Sequence, residues 1–491
     1  MKNLFEKIFN GAKTGEPKQA RLSDKTVWDL EEALVTLRAL DEDIPITVGQ
    51  ACEGIMVFGT SGSGKTSGAL NTIQMGMMEA GFGMLNICVK ADEADRVIAL
   101  AKKAGREKDL RIMRLGCDET RFNFLDSLRA GGATAVTAAF KRINQSLLGK
   151  VDEDEWTQAS QEHLTNLVQL FIMAGEKLDI SALRMALDDK PLHKQMIVDA
   201  LDRCPKGSSE EHTIKMLGNY FLKQWVAMGD KTMASVLMSI TPTLNPFCTG
   251  YMRDLFCTDT NFTPRDLRHG TILVLDIPCT GDNFSYGIAA GTILKYMTQK
   301  MIESYFGEGQ VAGQKKQKKA GKATRPVVIV VDECHYVTTA DDSEFVTTSR
   351  SMRGGLFYLT QDINNFYKRG AKTIEAETGA LLSNLHGVRI MHQNADDKTF
   401  QWFSNVLGKE MKEQFSESGS FSGPTGTGSV STSRSLQEKD QISRRDFNIG
   451  LARGGPKWKF VVTGILQQDG RVYKEGKMWK QVAFQQMDLD K

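Results

Sequence analysis

The feature that most constrains this chain is the run Gly59-Thr60-Ser61-Gly62-Ser63-Gly64-Lys65-Thr66, which fits GxxxxGK[ST] in full. The apolar run Ile55–Phe58 precedes it, and Ser67-Gly-Ala-Leu-Asn-Thr-Ile can open a helix behind it. Glycines let the backbone turn and aim its N–H groups at phosphate oxygens, while the helix amino terminus adds the positive end of its dipole. The expected ligands are ATP and Mg²⁺, held by Gly59 to Ser67. Lys65 would reach the β- and γ-phosphates and the Thr66 hydroxyl would coordinate the metal. A fortuitous Gly/Ser loop between strand and helix is the bland alternative, and the complete motif in its context weighs against it.

Such a loop needs a strand before it and a helix after it, and the chain repeats that alternation. Candidate strands are Ile55–Phe58, Met84–Ile87, Arg111–Arg114, Thr271–Ile277, Val327–Val331, Leu356–Thr360, Val388–Met391 and Phe460–Thr463. Several are nearly continuous in Val, Ile and Leu, as strands covered on both faces are. The expected fold class is α/β: a RecA-like P-loop NTPase with a central, mostly parallel sheet and an inserted all-α subdomain. The insert is read from helical periodicity. Leu164, Leu167, Val168 and Phe171 fall at i, i+3, i+4, i+7, as do Met233, Val236, Leu237 and Ile240, while Ile214, Leu217 and Phe221 repeat the period with a gap. The expected partition is a peripheral segment at 1–45, a nucleotide-binding domain split over 46–150 and 246–491, and the helical insert at 151–245. Segments 312–325 and 416–435, respectively basic and Gly/Ser/Thr-rich, are expected to be flexible.

Two further motifs fall at strand ends. Val327–Val331 delivers Asp332-Glu333 at the sheet edge where ligands bind in open α/β folds. Asp332 would support Mg²⁺, and Glu333 would polarise the water that attacks the γ-phosphate. An acidic pair after a strand is otherwise a polar loop. The Glu beside the Asp favours hydrolysis over phosphoryl transfer to a metabolite. Gln361, ending Leu356–Gln361, could hydrogen-bond the γ-phosphate or the water, or simply cap its strand. Arg350 and Arg353 lie just upstream, and the residues alone do not say whether either is an arginine finger or a surface charge.

With 491 residues the chain can hold two to four domains and bury a large core. Its net charge of +2 leaves any nucleic-acid affinity to local clusters or to assembly. Eight scattered cysteines without a CxxC pair argue against a zinc site or disulfide framework and suit a reducing cytoplasm. No window reaches the length of a membrane span. Phe5, Ile8 and Phe9 with Lys2 and Lys7 read as a short amino-terminal helix.

With these parts in order, the chain resembles the type IV coupling proteins of bacterial conjugation, within the HerA/FtsK superfamily of ring ATPases, from about Ile55 to the carboxyl terminus. Ile55 to Thr66 is similar to the family's first motif. Lys90 in CVKADE sits at its DPKGE turn, with Cys88 replacing the acidic residue. Phe122-Asn123-Phe124-Leu125-Asp126 is similar to its arginine/asparagine-proline-leucine segment, with Phe124 at the proline. Asp332-Glu333 and Thr360-Gln361 resemble its second motif and its Thr-Gln sensor, and Arg350 falls at its trans-acting arginine, which favours Arg350 over Arg353. The resemblance implies a homohexamer (with a monomer in the absence of DNA as the alternative) that hydrolyses ATP between subunits and passes DNA through a central channel. It implies catalytic roles for Lys65, Glu333, Gln361 and Arg350. Its implied partners are DNA, a relaxase or relaxosome and type IV secretion components. Its implied location is cytoplasmic, recruited to the inner membrane through partners. The competing readings are a HerA-like helicase of genome maintenance and a nucleotide-dependent switch or scaffold.

Overall fold

The computed structural model describes residues 26–148, 155–304, 321–367, 374–394, 396–422, 427–448 and 450–489. The amino-terminal helix expected around Phe5–Phe9 and the basic residues 312–320 lie outside these. The described residues form thirteen strands: β1 (Ala33–Ala39), β2 (Asp43–Thr47), β3 (Ile55–Phe58), β4 (Gly83–Ile87), β5 (Leu110–Arg114), β6 (Ile272–Asp276), β7 (Val327–Val331), β8 (Gly354–Thr360), β9 (Val388–Met391), β10 (Lys409–Ser422), β11 (Thr427–Asp440), β12 (Val461–Gln468) and β13 (Lys480–Gln485).

Eleven of them form one sheet in the order β2-β1-β13-β12-β9-β3-β8-β7-β4-β6-β5. From β9 to β5 every neighbouring pair is parallel. From β9 through β12, β13 and β1 to β2 every pair is antiparallel. The parallel part is apolar on both faces because helices cover both. Met56 and Phe58 of β3 join the core on one face, and Ile55 and Val57 join the core on the other. β7 divides the same way, with Val327, Ile329 and Val331 on one side and Val328 and Val330 on the other.

Between β5 and β6 the regular structure of the described residues is helical. The helices include Glu155–Ala174, Ser209–Asn219 and Asp230–Cys248. Their periodic residues Leu164, Leu167, Phe171, Ile214, Leu217, Met233, Val236 and Ile240, with Phe221 in the wide turn Tyr220–Gln224, are buried in one core continuous with that of the sheet. The spacing of those residues reports burial.

The Gly/Ser/Thr-rich segment 416–435, expected to be flexible, instead supplies most of β10 and β11. These 14-residue strands pair only with each other, in register from Lys409↔Asp440 to Ser422↔Thr427. A continuous backbone ladder needs no apolar run, so composition gave no sign of it. At the end of the basic segment, Lys322 pairs with Asp29, and Arg325 bonds Gly81 O and lies over the Trp28 ring at 4.8 Å.

Candidate active site

Strands β3, β8, β7 and β4 are consecutive in the sheet and parallel, so their carboxyl ends open on one edge. Each hands over a loop there. The turn after β3 is the glycine-rich run, with Gly62 at φ +71° and Gly64 at φ +90°, conformations that favour glycine. A Cβ on Gly64 would stand 2.6 Å from Val462 Cγ2, so a second constraint acts at that position. Backbone bonds from Gly59 N to Thr360 O (3.3 Å) and from Thr60 N to Gln393 O (3.0 Å) tie the loop to the ends of β8 and β9. The helix behind it begins with a wide turn over Thr66–Leu70, closed by Leu70 N to Lys65 O at 3.0 Å, and continues as Asn71–Glu79. Wide turns of this kind are concentrated at functional sites.

Thr66 Oγ1 donates to Asp332 Oδ2 at 2.8 Å. Lys65 Nζ lies 3.2 Å from Glu333 Oε1 and 3.9 Å from Asp332 Oδ1. Gln361 Nε2 donates to the same Glu333 Oε1 at 3.1 Å, and Asn394 Nδ2 holds the Gln361 carbonyl at 2.8 Å. The fold thus brings Lys65, Thr66, Asp332, Glu333 and Gln361 together around a cavity of about 870 Å³ on this edge. Glu333 adopts φ +56°, ψ +50°, a left-handed conformation costing a non-glycine residue about 1 kcal/mol or more. Such strain persists where the surroundings impose it, and it collects at functional sites.

Burial alone would raise both acidic pKa values. The ammonium of Lys65, that of Lys90 and the Thr66 hydroxyl outweigh it at Asp332, which lies below the usual carboxylate range. At Glu333 burial and the Asp332 charge push up, while Lys65, Lys90 and the Gln361 hydrogen bond bring the value below normal. Both carboxylates are therefore ionised at neutral pH. The Thr66 hydroxyl beside the Asp332 carboxylate supplies the hard oxygens that suit Mg²⁺. No group of three or more His, Cys, Asp or Glu among the described residues could hold a metal alone.

Arg350 is not part of this cluster. It ends the helix Asp341–Met352, before β8 begins, whereas Gln361 follows the end of β8. At about 3.3 Å per residue the two ends of β8 are about 20 Å apart. The Arg350 guanidinium is half-exposed and pairs with Glu53 at 2.8 Å and Glu31 at 3.4 Å. Arg353 is buried at φ +54°, with Nη1 donating to Trp28 O at 2.5 Å, so it serves the fold.

Two further features complete the site. Lys90 and Glu93 follow β4, with Lys90 Nζ 3.2 Å from Glu333 Oε1. Burial and the nearby Asp332 charge push the Glu93 carboxyl up to about 8. The segment after β13 also lines the cavity, with Gln486 Nε2 donating to Ser67 Oγ at 2.6 Å. Lys90 was singled out in the sequence by its place at the DPKGE-like turn, without a role in the site. Nothing in the sequence pointed to Gln486.

The sheet and this edge define the class: a nucleotide-binding P-loop protein of the RecA-like α/β type. A family model for type IV secretory system conjugative DNA transfer matches residues 28–447, and the chain belongs to that family. It is accordingly a coupling protein of conjugative DNA transfer, with DNA and the type IV secretion machinery as partners. Among solved structures, the unbound bacterial conjugative coupling protein TrwBΔN70 is similar at a TM-score of 0.54 and 12% identity, over 94% of this chain and 90% of that one. The plasmid coupling protein TrwB in complex with ADP and Mg²⁺ gives 0.54 and 13%, over 97% and 93%. Its complex with the non-hydrolysable GTP analogue GDPNP gives 0.52 and 13%, over 95% and 92%. At these identities the likeness speaks for the fold. No curated protein matches the chain in sequence. No helix among the described residues is long and apolar enough to cross a membrane.

Proposed function

We propose that this coupling protein is a motor that binds ATP with Mg²⁺, hydrolyses it and uses the energy to move DNA. The observation that carries the reading is the convergence of Lys65, Thr66, Asp332, Glu333 and Gln361 at one sheet edge. Lys65 and the loop N–H groups bind the phosphates. Thr66 and Asp332 hold Mg²⁺, which when bound neutralises phosphate charge. Glu333 takes the proton of the attacking water: its Oε1 is engaged by Lys65, Lys90 and Gln361, while the buried Oε2 has no hydrogen-bond partner. Gln361 orients that water. Arg350, remote from its own site, supplies positive charge to the ATP of a neighbouring subunit in a ring. DNA is held through its phosphates without base readout, six copies of a nearly neutral subunit converging on one axis.

The site assignment is tested by nucleotide binding and turnover. Lys65→Ala is expected to lose binding of both ADP and ATP, whereas Glu333→Gln should keep binding and lose about 100-fold or more in turnover. A Lys65→Ala protein with normal ATP turnover would refute the assignment.

A further inference from the structure

We propose that Lys90 is a γ-phosphate-directed lysine: it pairs with the Glu333 carboxylate and moves to the terminal phosphate when a nucleoside triphosphate binds. The inference rests on the nucleotide-site reading above and adds a residue and a division of labour to it.

The topology comes first. β4 lies beside β7, with Ile87 opposite Val331, so the residues just past β4 face the Asp332-Glu333 pair across the sheet edge. Lys90 is three residues past Ile87. Its Nζ is 3.2 Å from Glu333 Oε1, 3.7 Å from Asp332 Oδ2 and 3.8 Å from Glu93 Oε1. Glu333 Oε1 therefore receives three donors, from the ends of three different strands: Lys65 after β3, Gln361 after β8 and Lys90 after β4. A carboxylate that is to act as a base through Oε2 is weakened by each ammonium held on Oε1, because each lowers the basicity of the whole group.

Exposure separates the two lysines. The Lys65 side chain is 7% exposed and that of Lys90 is 42% exposed, and Lys90 lines the cavity. Lys65 is fixed by the glycine-rich loop. Lys90 sits on an open stem that can swing about its side-chain torsions. The remaining cation of this wall, Arg96, is already engaged with Asn71 and Gln74 at 2.9 and 2.8 Å.

Charge supplies the direction. Two ionised carboxylates, Asp332 and Glu333, with the raised Glu93 carboxyl beside them, face two ammonium groups here. A magnesium–triphosphate remains anionic and draws both lysines, leaving Glu333 free for water. A diphosphate ends short of Glu333 and draws Lys65 alone. Lys90 would then distinguish ATP from ADP, and Lys65 would not.

The test is equilibrium binding of fluorescent ADP and ATPγS, each with Mg²⁺, to wild-type, Lys90→Met, Lys90→Arg and Lys65→Ala proteins. The expected result for Lys90→Met is about a tenfold loss of ATPγS affinity, the scale of one charge-assisted contact, with ADP affinity unchanged within about twofold. Lys90→Arg should restore most of the preference. A Lys90→Met protein that loses both nucleotides equally, or keeps the wild-type ratio, overturns the proposal. In that event Lys65→Ala still reports on the wider reading. If it abolishes both affinities, only the Lys90 proposal falls; if it abolishes neither, the site itself is wrong.

Discussion

Buried titratable side chains in this chain are tuned by what surrounds them, and their pH dependence can be worked out residue by residue. His163, fully buried in the helical region, stacks on Trp225 at a centroid distance of 3.8 Å. Its Nε2 lies 2.9 Å from Leu187 O, which can only accept, so Nε2 carries the proton and Nδ1 accepts from Tyr220 OH at 3.1 Å. Burial lowers its pKa from 6.5 to about 4. A folded value below the unfolded one adds stability above pH 6.5, and that stability is lost as pH falls through the folded value. The contribution is about 3 kcal/mol. Urea unfolding at pH 7 and pH 4.5 should show wild type losing about 2 kcal/mol more than His163→Gln, whose amide keeps both hydrogen bonds without the titration. Equal losses would show that His163 charges freely in the folded state.

At the scale of elements, a buried ion pair joins two helices behind the acidic turn. Lys295 on the helix Phe284–Ser304 donates to Asp342 Oδ2 at 2.6 Å, and both side chains are fully buried. Asp342, on the helix Asp341–Met352, also accepts from Gln299 at 2.8 Å, Tyr358 at 2.9 Å and Thr339 N at 3.2 Å. The cluster therefore ties together the segment that carries Asp332 and Glu333, the helix that carries Arg350, and β8, which leads to Gln361. Removing one partner strands a charge. Asp342→Ala should cost about 3–5 kcal/mol in denaturant unfolding, and adding Lys295→Met should recover part of it by removing the orphaned ammonium. A double variant as unstable as the single one would argue against a charge origin.

The same scale shows what the sequence could reveal. β3, β7 and β9 were legible to the residue because both of their faces are buried and, Arg389 of β9 apart, every position is apolar. The edge of the sheet was not. β2 is DIPIT with a proline, and β13 is KQVAFQ with half its residues polar. β2 has β1 as its one neighbour in the sheet, and β13 joins β12 to β1, a partner more than 400 positions away. The ribbon β10–β11 was hidden by its Gly/Ser/Thr composition. Lys65, Thr66, Asp332 and Glu333 were legible because short motifs name them. Lys90 enters the site only through the pairing of β4 with β7, which brings together residues 243 positions apart. Gln486 reaches Ser67 across 419 positions. Local patterns do not record such contacts.

For the whole molecule, Arg350 and the phosphate loop lie at opposite ends of the strands, and the net charge is only +2. A single copy therefore does not bring Arg350 to its own nucleotide site and offers little bulk attraction for DNA. Both shortfalls are met if subunits stack head to tail around DNA, where the Arg350 of one copy can approach the cavity of the next. Activity should then depend on DNA and on assembly, and weaken with salt as phosphate contacts are screened. The most direct measurement is ATP hydrolysis by the purified protein with and without single- and double-stranded DNA, beside Glu333→Gln and Arg350→Ala. The account predicts strong stimulation by DNA that both variants lose, with Arg350→Ala still binding nucleotide normally. Turnover indifferent to DNA and to Arg350 would contradict a shared-site DNA motor.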